Sequence, residues 1–333
     1  MDTAPPAPAS SPHIATVGRA RVSILHPEAE TIFAFCHPSV SYLSTFLTES
    51  LIWHGAGVVG VDGRYVEEGD KDLDYATAAD DIGLALREVV PADKTLVLVG
   101  HSGGAPLAGL VQSRFHIAQA LIFLAPHPSR AELLRCWIDP AVGRDGSRNP
   151  ELDLYASERT FPLGREWVER YRTAQRQRLM AVAAEAARAL GDGAPERRLE
   201  IPCCFADPRF RDRQLDPNQR RSPPLGADPA EVNQRSGFLA DGSTARGFFE
   251  QWFLPTTPGN LLNLAPWFTV PVLSVAFGAD PLIFPSQTLQ VATALPRGST
   301  VWTLENAIHN PEDQKDHLDA LSRKMLAWLS HLA

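Results

Sequence analysis

The chain has 333 residues, 44% of them hydrophobic and 21% charged, with a formal net charge of −8; this calls for a sizeable packed core and excludes a wholly disordered chain. No dense lysine–arginine block offers a nucleic-acid surface, the arginines between Arg209 and Arg221 are broken up as on a solvated face, and no run is long and apolar enough to span a membrane.

Residues 1–16 begin rich in Ala, Pro and Ser, lack the basic start and apolar run of a signal peptide, and read as a flexible tail. From there to residue 128, apolar runs alternate with helical patterns. Arg21–Leu25, Thr31–Cys36, Gly57–Val61, Thr95–Val99 and Gln119–Ala125 read as strands. Tyr75–Val90 and Ser102–Phe115 carry apolar residues at three- and four-residue steps and read as helices. Strands that are apolar throughout, not alternately, are buried on both faces, so the order predicts an α/β fold with a mostly parallel central sheet flanked by helices.

Residues 129–266 differ in character. Leu163–Leu190 reads as one long amphipathic helix with Trp167, Tyr171 and Leu179 inward, and Gly247–Phe253 as a short aromatic helix. Polar, Pro-rich stretches, Asp139–Pro150 and Asp207–Pro229, flank them. The α/β pattern then resumes with a strand Val272–Phe277, a helix Pro285–Leu295, a strand Thr300–Leu304 and a closing helix Pro311–Leu332. One domain is therefore expected from residues 17–128 and 267–333, split by a mainly helical insertion at 129–266. The four cysteines, Cys36, Cys136, Cys203 and Cys204, show neither zinc spacing nor a CxxC pair and read as free thiols of a reducing compartment. Together with the missing leader, this points to the cytoplasm.

Chemistry enters at Gly100-His101-Ser102-Gly103-Gly104, which follows an apolar strand and opens a helix. That is G-x-S-x-G in the setting that makes it a nucleophile elbow: a tight turn lifts the serine above the sheet edge, and small residues on either side let the backbone pass. The bland alternative is a Gly-rich strand–helix turn. A serine hydroxyl needs a base, and the base an orienting acid. Asp280, just after the strand Val272–Phe277, and His309, between the last strand and the last helix, are the candidates; their structural alternatives are a turn aspartate and a loop histidine. Asp139 is the second choice for the acid. Glu305 reads as a surface residue, Asp313 as a helix cap, and His317 and His331 as helical. For the oxyanion, the backbone N–H of Gly103 is one expected donor and that of Ser39, in the loop His37-Pro38-Ser39-Val40, the other, with Val40 second; Pro38 has no N–H. His101 reads as packing, its side chain turned away. Gly55 to Gly60 satisfies G-x-G-x-x-G but leads into a strand instead of opening a helix, so no dinucleotide is expected. His37, Trp252, Phe253, Trp267 and Phe284 are candidates for lining a partly apolar pocket.

These residues together resemble the α/β-hydrolase superfamily, from about Val17 to the C-terminus. The resemblance rests on the Ser102 pentapeptide, the loop at His37-Pro38, Asp280, His309, and Val61-Asp62-Gly63-Arg64-Tyr65, which is similar to the family's turn after its fourth strand. Many members carry His-Gly where this chain has His37-Pro38. The resemblance implies that 129–266 is a long cap over the site. It also implies a serine hydrolase that needs no metal or cofactor and cleaves a small-molecule carboxylic ester, with lactone or thioester close behind. Serine in place of aspartate argues against a haloalkane dehalogenase or an epoxide hydrolase. Amide or carbon–carbon cleavage on the same triad stays open, as does a non-catalytic ligand-binding protein, and the insertion suits either a lid or the interface of a homodimer.

Overall fold

The computed structural model describes residues 12–67, 72–143, 147–202, 205–221 and 239–332. Eight strands form one sheet: β1 (His13–Val17), β2 (Ala20–Leu25), β3 (Thr31–Cys36), β4 (Gly57–Asp62), β5 (Thr95–His101), β6 (Ala120–Leu124), β7 (Val272–Phe277) and β8 (Thr300–Leu304), in the order β1-β2-β4-β3-β5-β6-β7-β8. β1 and β2 pair antiparallel, as do β2 and β4; every other pairing is parallel. β1 corrects the expected tail at residues 13–16: these residues are only half-apolar and largely exposed, yet they complete the sheet edge by pairing with β2.

The helices that matter below are α1 (Thr48–Trp53), α2 (Tyr75–Val89), α3 (Gly104–Phe115), α4 (Arg130–Trp137), α5 (Arg165–Gly191), α6 (Pro285–Ala294) and α7 (Lys315–Ser330). Because strand side chains alternate, β3 sends Ile32 and Ala34 to one core with α2 and α3, and Phe33 and Phe35 to another with α1 and α7. β5 divides Leu96 and Leu98 from Val97 and Val99 in the same way. Both faces are covered, which is why these strands are apolar along their whole length. The glycine run Gly55–Gly60 leads into β4, where a Cβ on Gly60 would stand 2.0 Å from the Tyr42 carbonyl oxygen.

Between β6 and β7 the described residues add no strand to the sheet and build apolar clusters of their own, one of them around Leu179, Val182, Phe248 and Trp252. The aromatic segment is a helical turn, Ala245–Gly247, that widens into π-helix at Phe248–Trp252. An ion network fastens this region to the rest. Buried Asp207 takes Arg172 at 2.6 Å and Arg209 at 2.7 Å, and Arg209 reaches Ser286, in the first turn of α6, at 2.9 Å. Breaking one side of such a buried pair leaves an uncompensated charge, typically at a cost of about 3–5 kcal/mol. Cys36 and Cys136 are buried free thiols, while Cys203 and Cys204 lie outside the described residues. Among the described residues no helix is long and apolar enough to cross a membrane.

The order of strands locates the site. β3 and β5 are neighbours, but the chain leaves β3 towards β4 on one side and β5 towards β6 on the other. Their carboxyl ends therefore open a crevice between diverging loops, the place where open α/β sheets bind ligands. His37 and Ser102 are the first residues beyond those two ends.

Candidate active site

Ser102 sits at φ +52°, in the left-handed region that a non-glycine residue enters only under local constraint. Its N–H is held by the Leu124 carbonyl at 2.9 Å, and its own carbonyl accepts from Ala105 N at 3.1 Å. The flanking glycines are required by space: a Cβ on Gly100 would meet Ala105 Cα at 2.4 Å, and one on Gly104 would meet the Cys36 carbonyl oxygen at 2.4 Å. Ser102 is partly exposed at the mouth of the turn, directly before α3, whose N-terminal amides favour developing negative charge there.

His309 and Asp280 are brought together from the loops after β8 and β7. His309 Nδ1 lies 2.7 Å from Asp280 Oδ2, and both side chains are buried. The other oxygen of Asp280 accepts Leu282 N at 2.8 Å and Ile283 N at 2.9 Å. The carboxylate is thus a turn residue through Oδ1 and the orienting partner of an imidazole through Oδ2. The Ser102 hydroxyl makes no hydrogen bond among the described residues, and such bonds often tighten only when substrate is bound. Asp139, the alternative acid, is committed inside the insertion, accepting Ala141 N at 2.8 Å and facing Arg148 at 3.4 Å. Glu305 is exposed and Gln314, not Asp313, holds the N-cap position of α7.

In the loop after β3 the expected oxyanion donor, the Ser39 N–H, is already committed. The N–H of Ser39 is donated to His37 Nδ1 at 3.1 Å, and that of Val40 to the same nitrogen at 3.0 Å. Pro38 turns the chain tightly enough for the ring of His37 to cap the two amides that follow. With Nδ1 acting as acceptor, the neutral ring carries its proton on Nε2. That nitrogen faces the elbow: a Cβ on Gly103 would stand 3.0 Å from it. Burial, then the neighbouring Arg130 and His127, hold the His37 pKa well below the usual histidine value, which keeps the ring neutral. The Gly103 N–H, the other expected donor, is uncommitted among the described residues.

Sequence reasoning missed His127 and Arg130. His127 follows β6 in Pro126-His127-Pro128, is buried, and places Nε2 3.8 Å from the Gly103 Cβ position. Burial and then Arg130 depress its pKa to about 3. The signal available was position: any polar residue just past the carboxyl end of a central parallel strand faces the crevice. His101 is buried, and its nitrogens meet Tyr42 Oη at 2.6 Å and the His309 carbonyl at 2.9 Å.

The aromatic pocket candidates divide. Trp252 is buried and carries the Arg130 guanidinium 4.9 Å above its ring, beside the site. Phe253 packs on Phe248 and Phe249 in the insertion's own cluster. Phe284 is buried, its ring flanked by Arg209 at 4.4 Å and Arg220 at 4.8 Å. Trp267 is 80% exposed.

No protein-family model matches the chain, and no curated protein matches its sequence. Solved structures do. VinJ is 13% identical, with 98% of this chain and 100% of that chain covered at a TM-score of 0.53. A proline iminopeptidase-related protein from Thermus thermophilus is 20% identical over 95% of this chain and 97% of its own, at a TM-score of 0.49. The N-acyl homoserine lactonase AidH, complexed with N-hexanoyl homoserine, is 16% identical over 95% and 96%, at 0.48. The strand order, the elbow after β5 and the whole-length likeness to VinJ give this chain the α/β-hydrolase fold.

Proposed function

We propose that the chain is a serine hydrolase that cleaves a small-molecule carboxylic ester, with lactones and thioesters next in line. The observation that supports this is the 2.7 Å contact of His309 with buried Asp280, the His309 carbonyl lying 2.9 Å from Nε2 of His101, the residue before a serine held at φ +52°. In the proposed cycle His309 Nε2 takes the Ser102 proton as Oγ attacks the ester carbonyl carbon, and Asp280 stabilises the imidazolium. The oxyanion receives the Gly103 N–H and the His37 Nε2–H, in place of a backbone N–H from Ser39. Collapse expels the alcohol, protonated by His309; water, deprotonated by His309, then hydrolyses the acyl-enzyme and frees Ser102. Residues 129–266 are proposed to act as a cap over this crevice.

The test is a panel of p-nitrophenyl esters, acyl chains short to medium, on the wild type and Ser102→Ala. Turnover that vanishes in Ser102→Ala is the expected result; equal rates in both proteins would remove Ser102 as nucleophile. A non-catalytic binder would give neither turnover nor an acyl-enzyme burst in the wild type.

A further inference from the structure

Arg130 opens α4 at the edge of the crevice. It donates Nη1–H to Gln251 Oε1 at 2.9 Å and Nη2–H to Ser39 Oγ at 2.8 Å, and its third partner is the face of Trp252. All three are neutral. Several other partly buried arginines are neutralised, Arg64 by Asp81, Arg148 by Asp153, Arg172 and Arg209 by Asp207, while buried Arg220 is held by the backbone carbonyls of Arg209, Leu215 and Asp216 and by Asn218 Oδ1. Arg130 pairs with no carboxylate among the described residues. Burial draws its pKa below the usual guanidinium range, with Tyr75 acting in the opposite direction. A desolvated charge without a counter-ion is costly, and an anionic ligand beside Arg130 would supply the missing partner.

Two routes place this cation beside the elbow. One runs from the Cβ position of Gly103 through His37 to Ser39 and so to Nη2. The other runs through His127, which neighbours Gly103 and precedes Arg130 on the same loop. Arg130 lowers the pKa of both histidines, so it is electrostatically coupled to the crevice.

We propose that Arg130 seats a free carboxylate of the substrate, so that the ester is anionic, with its carboxylate within a few bonds of the scissile carbonyl. One guanidinium matches one planar monoanion, and its remaining N–H groups can make charge-assisted bonds to it. The inference rests on the hydrolase reading above and narrows it to acid-bearing esters.

The experiment uses matched ester pairs. Mono-p-nitrophenyl glutarate against p-nitrophenyl valerate places the acid on the acyl side; 4-carboxyphenyl valerate against its methyl-ester-blocked counterpart places it on the leaving group. In the wild type, kcat/KM for the acid should exceed that for the neutral partner by about 10- to 100-fold in one pair, which identifies the side. Arg130→Met should collapse that ratio to one or below, and Arg130→Lys should restore part of it. No preference in the wild type, or a preference that survives in Arg130→Met, overturns the proposal. Calorimetric titration of glutarate into Ser102→Ala and into Ser102→Ala/Arg130→Met reads the same seat without turnover; equal affinity in both overturns it. Failure of Ser102 as nucleophile would show separately, as turnover retained in Ser102→Ala.

Discussion

The ring of His101 is 4.8 Å, centre to centre, from that of His309, and His101 Nε2 meets the His309 carbonyl oxygen at 2.9 Å. The residue before Ser102 thereby holds the backbone of the candidate base. Tyr42 Oη, 2.6 Å from His101 Nδ1, fixes the tautomer, since a ring that donates from Nε2 must accept at Nδ1. Burial first, and then His309 and His37, keep the His101 pKa well below the usual value, so this relay is neutral at pH 7. His101→Ala should lower kcat about tenfold with KM little changed and displace the pH midpoint of kcat/KM, because the base loses its fixed position. His101→Gln, which keeps a donor, should recover part of the loss. Tyr42→Phe should cost about 1 kcal/mol in unfolding free energy. An unchanged kcat and pH profile in His101→Ala would make this residue packing alone.

Asp280 offers a cleaner separation of roles. Asn at this position keeps an oxygen for Leu282 N and Ile283 N but cannot hold the imidazole as the carboxylate does. Asp280→Asn should therefore unfold close to the wild-type temperature while kcat falls roughly 10⁴-fold, as expected when a triad histidine is left in the wrong tautomer. Asp280→Ala loses the turn as well and should also melt lower. Steady-state kinetics beside thermal unfolding check both; a fall in kcat of less than tenfold in Asp280→Asn would send the search for the acid elsewhere.

What could be read without coordinates follows from where information is local. Strands such as Thr31–Cys36 and Val272–Phe277 were legible to the residue because burial on both faces leaves a nearly continuous apolar run. β1 was not, because an edge strand that is mostly exposed needs no such run. α4 was also overlooked, although Ser129-x-x-Glu132 spells a capping pattern: Ser129 Oγ accepts Glu132 N at 3.0 Å. Ser102, Asp280 and His309 each announce themselves by position after a strand. The meeting of His37, His127 and Arg130 does not, because it depends on β3, β5 and β6 lying side by side, and sequence order does not state that adjacency. The commitment of the Ser39 N–H has a different origin: nothing local tells that His37 folds back onto its own loop.

His37 carries the next prediction. If its Nε2–H completes the oxyanion site, His37→Ala should lower kcat by about 10²- to 10³-fold with a smaller effect on KM, the usual loss for one oxyanion donor. His37→Gln can aim an amide N–H into the same space and should retain more activity than Ala. Should Ala and Gln prove equally impaired while both stay folded, the ring would be acting as the cap of Ser39 and Val40 and not as a donor.

Three neutral histidines in one interior make stability depend on pH in a definite direction. His37, His101 and His127 all have folded pKa values below 6.5, foremost because burial penalises the charged ring, with His127 at about 3. In the unfolded chain each takes up a proton near pH 6.5. Between those values the unfolded state binds more protons than the folded one, so the stability these rings contribute is full above about pH 7 and drains as pH falls. Each ring can add at most about 1.4 kcal/mol per pH unit to that slope. Urea unfolding at pH 7, 6 and 5 should show a falling midpoint, a window above the range where carboxylates such as Asp207, held low against its own burial by Arg172 and Arg209, begin to matter. His127→Gln, which cannot titrate, should flatten the slope by one ring's share. A wild-type midpoint constant from pH 7 to 5 would mean that these rings are charged in the fold, and a protonated His37 could not accept Ser39 N and Val40 N at Nδ1.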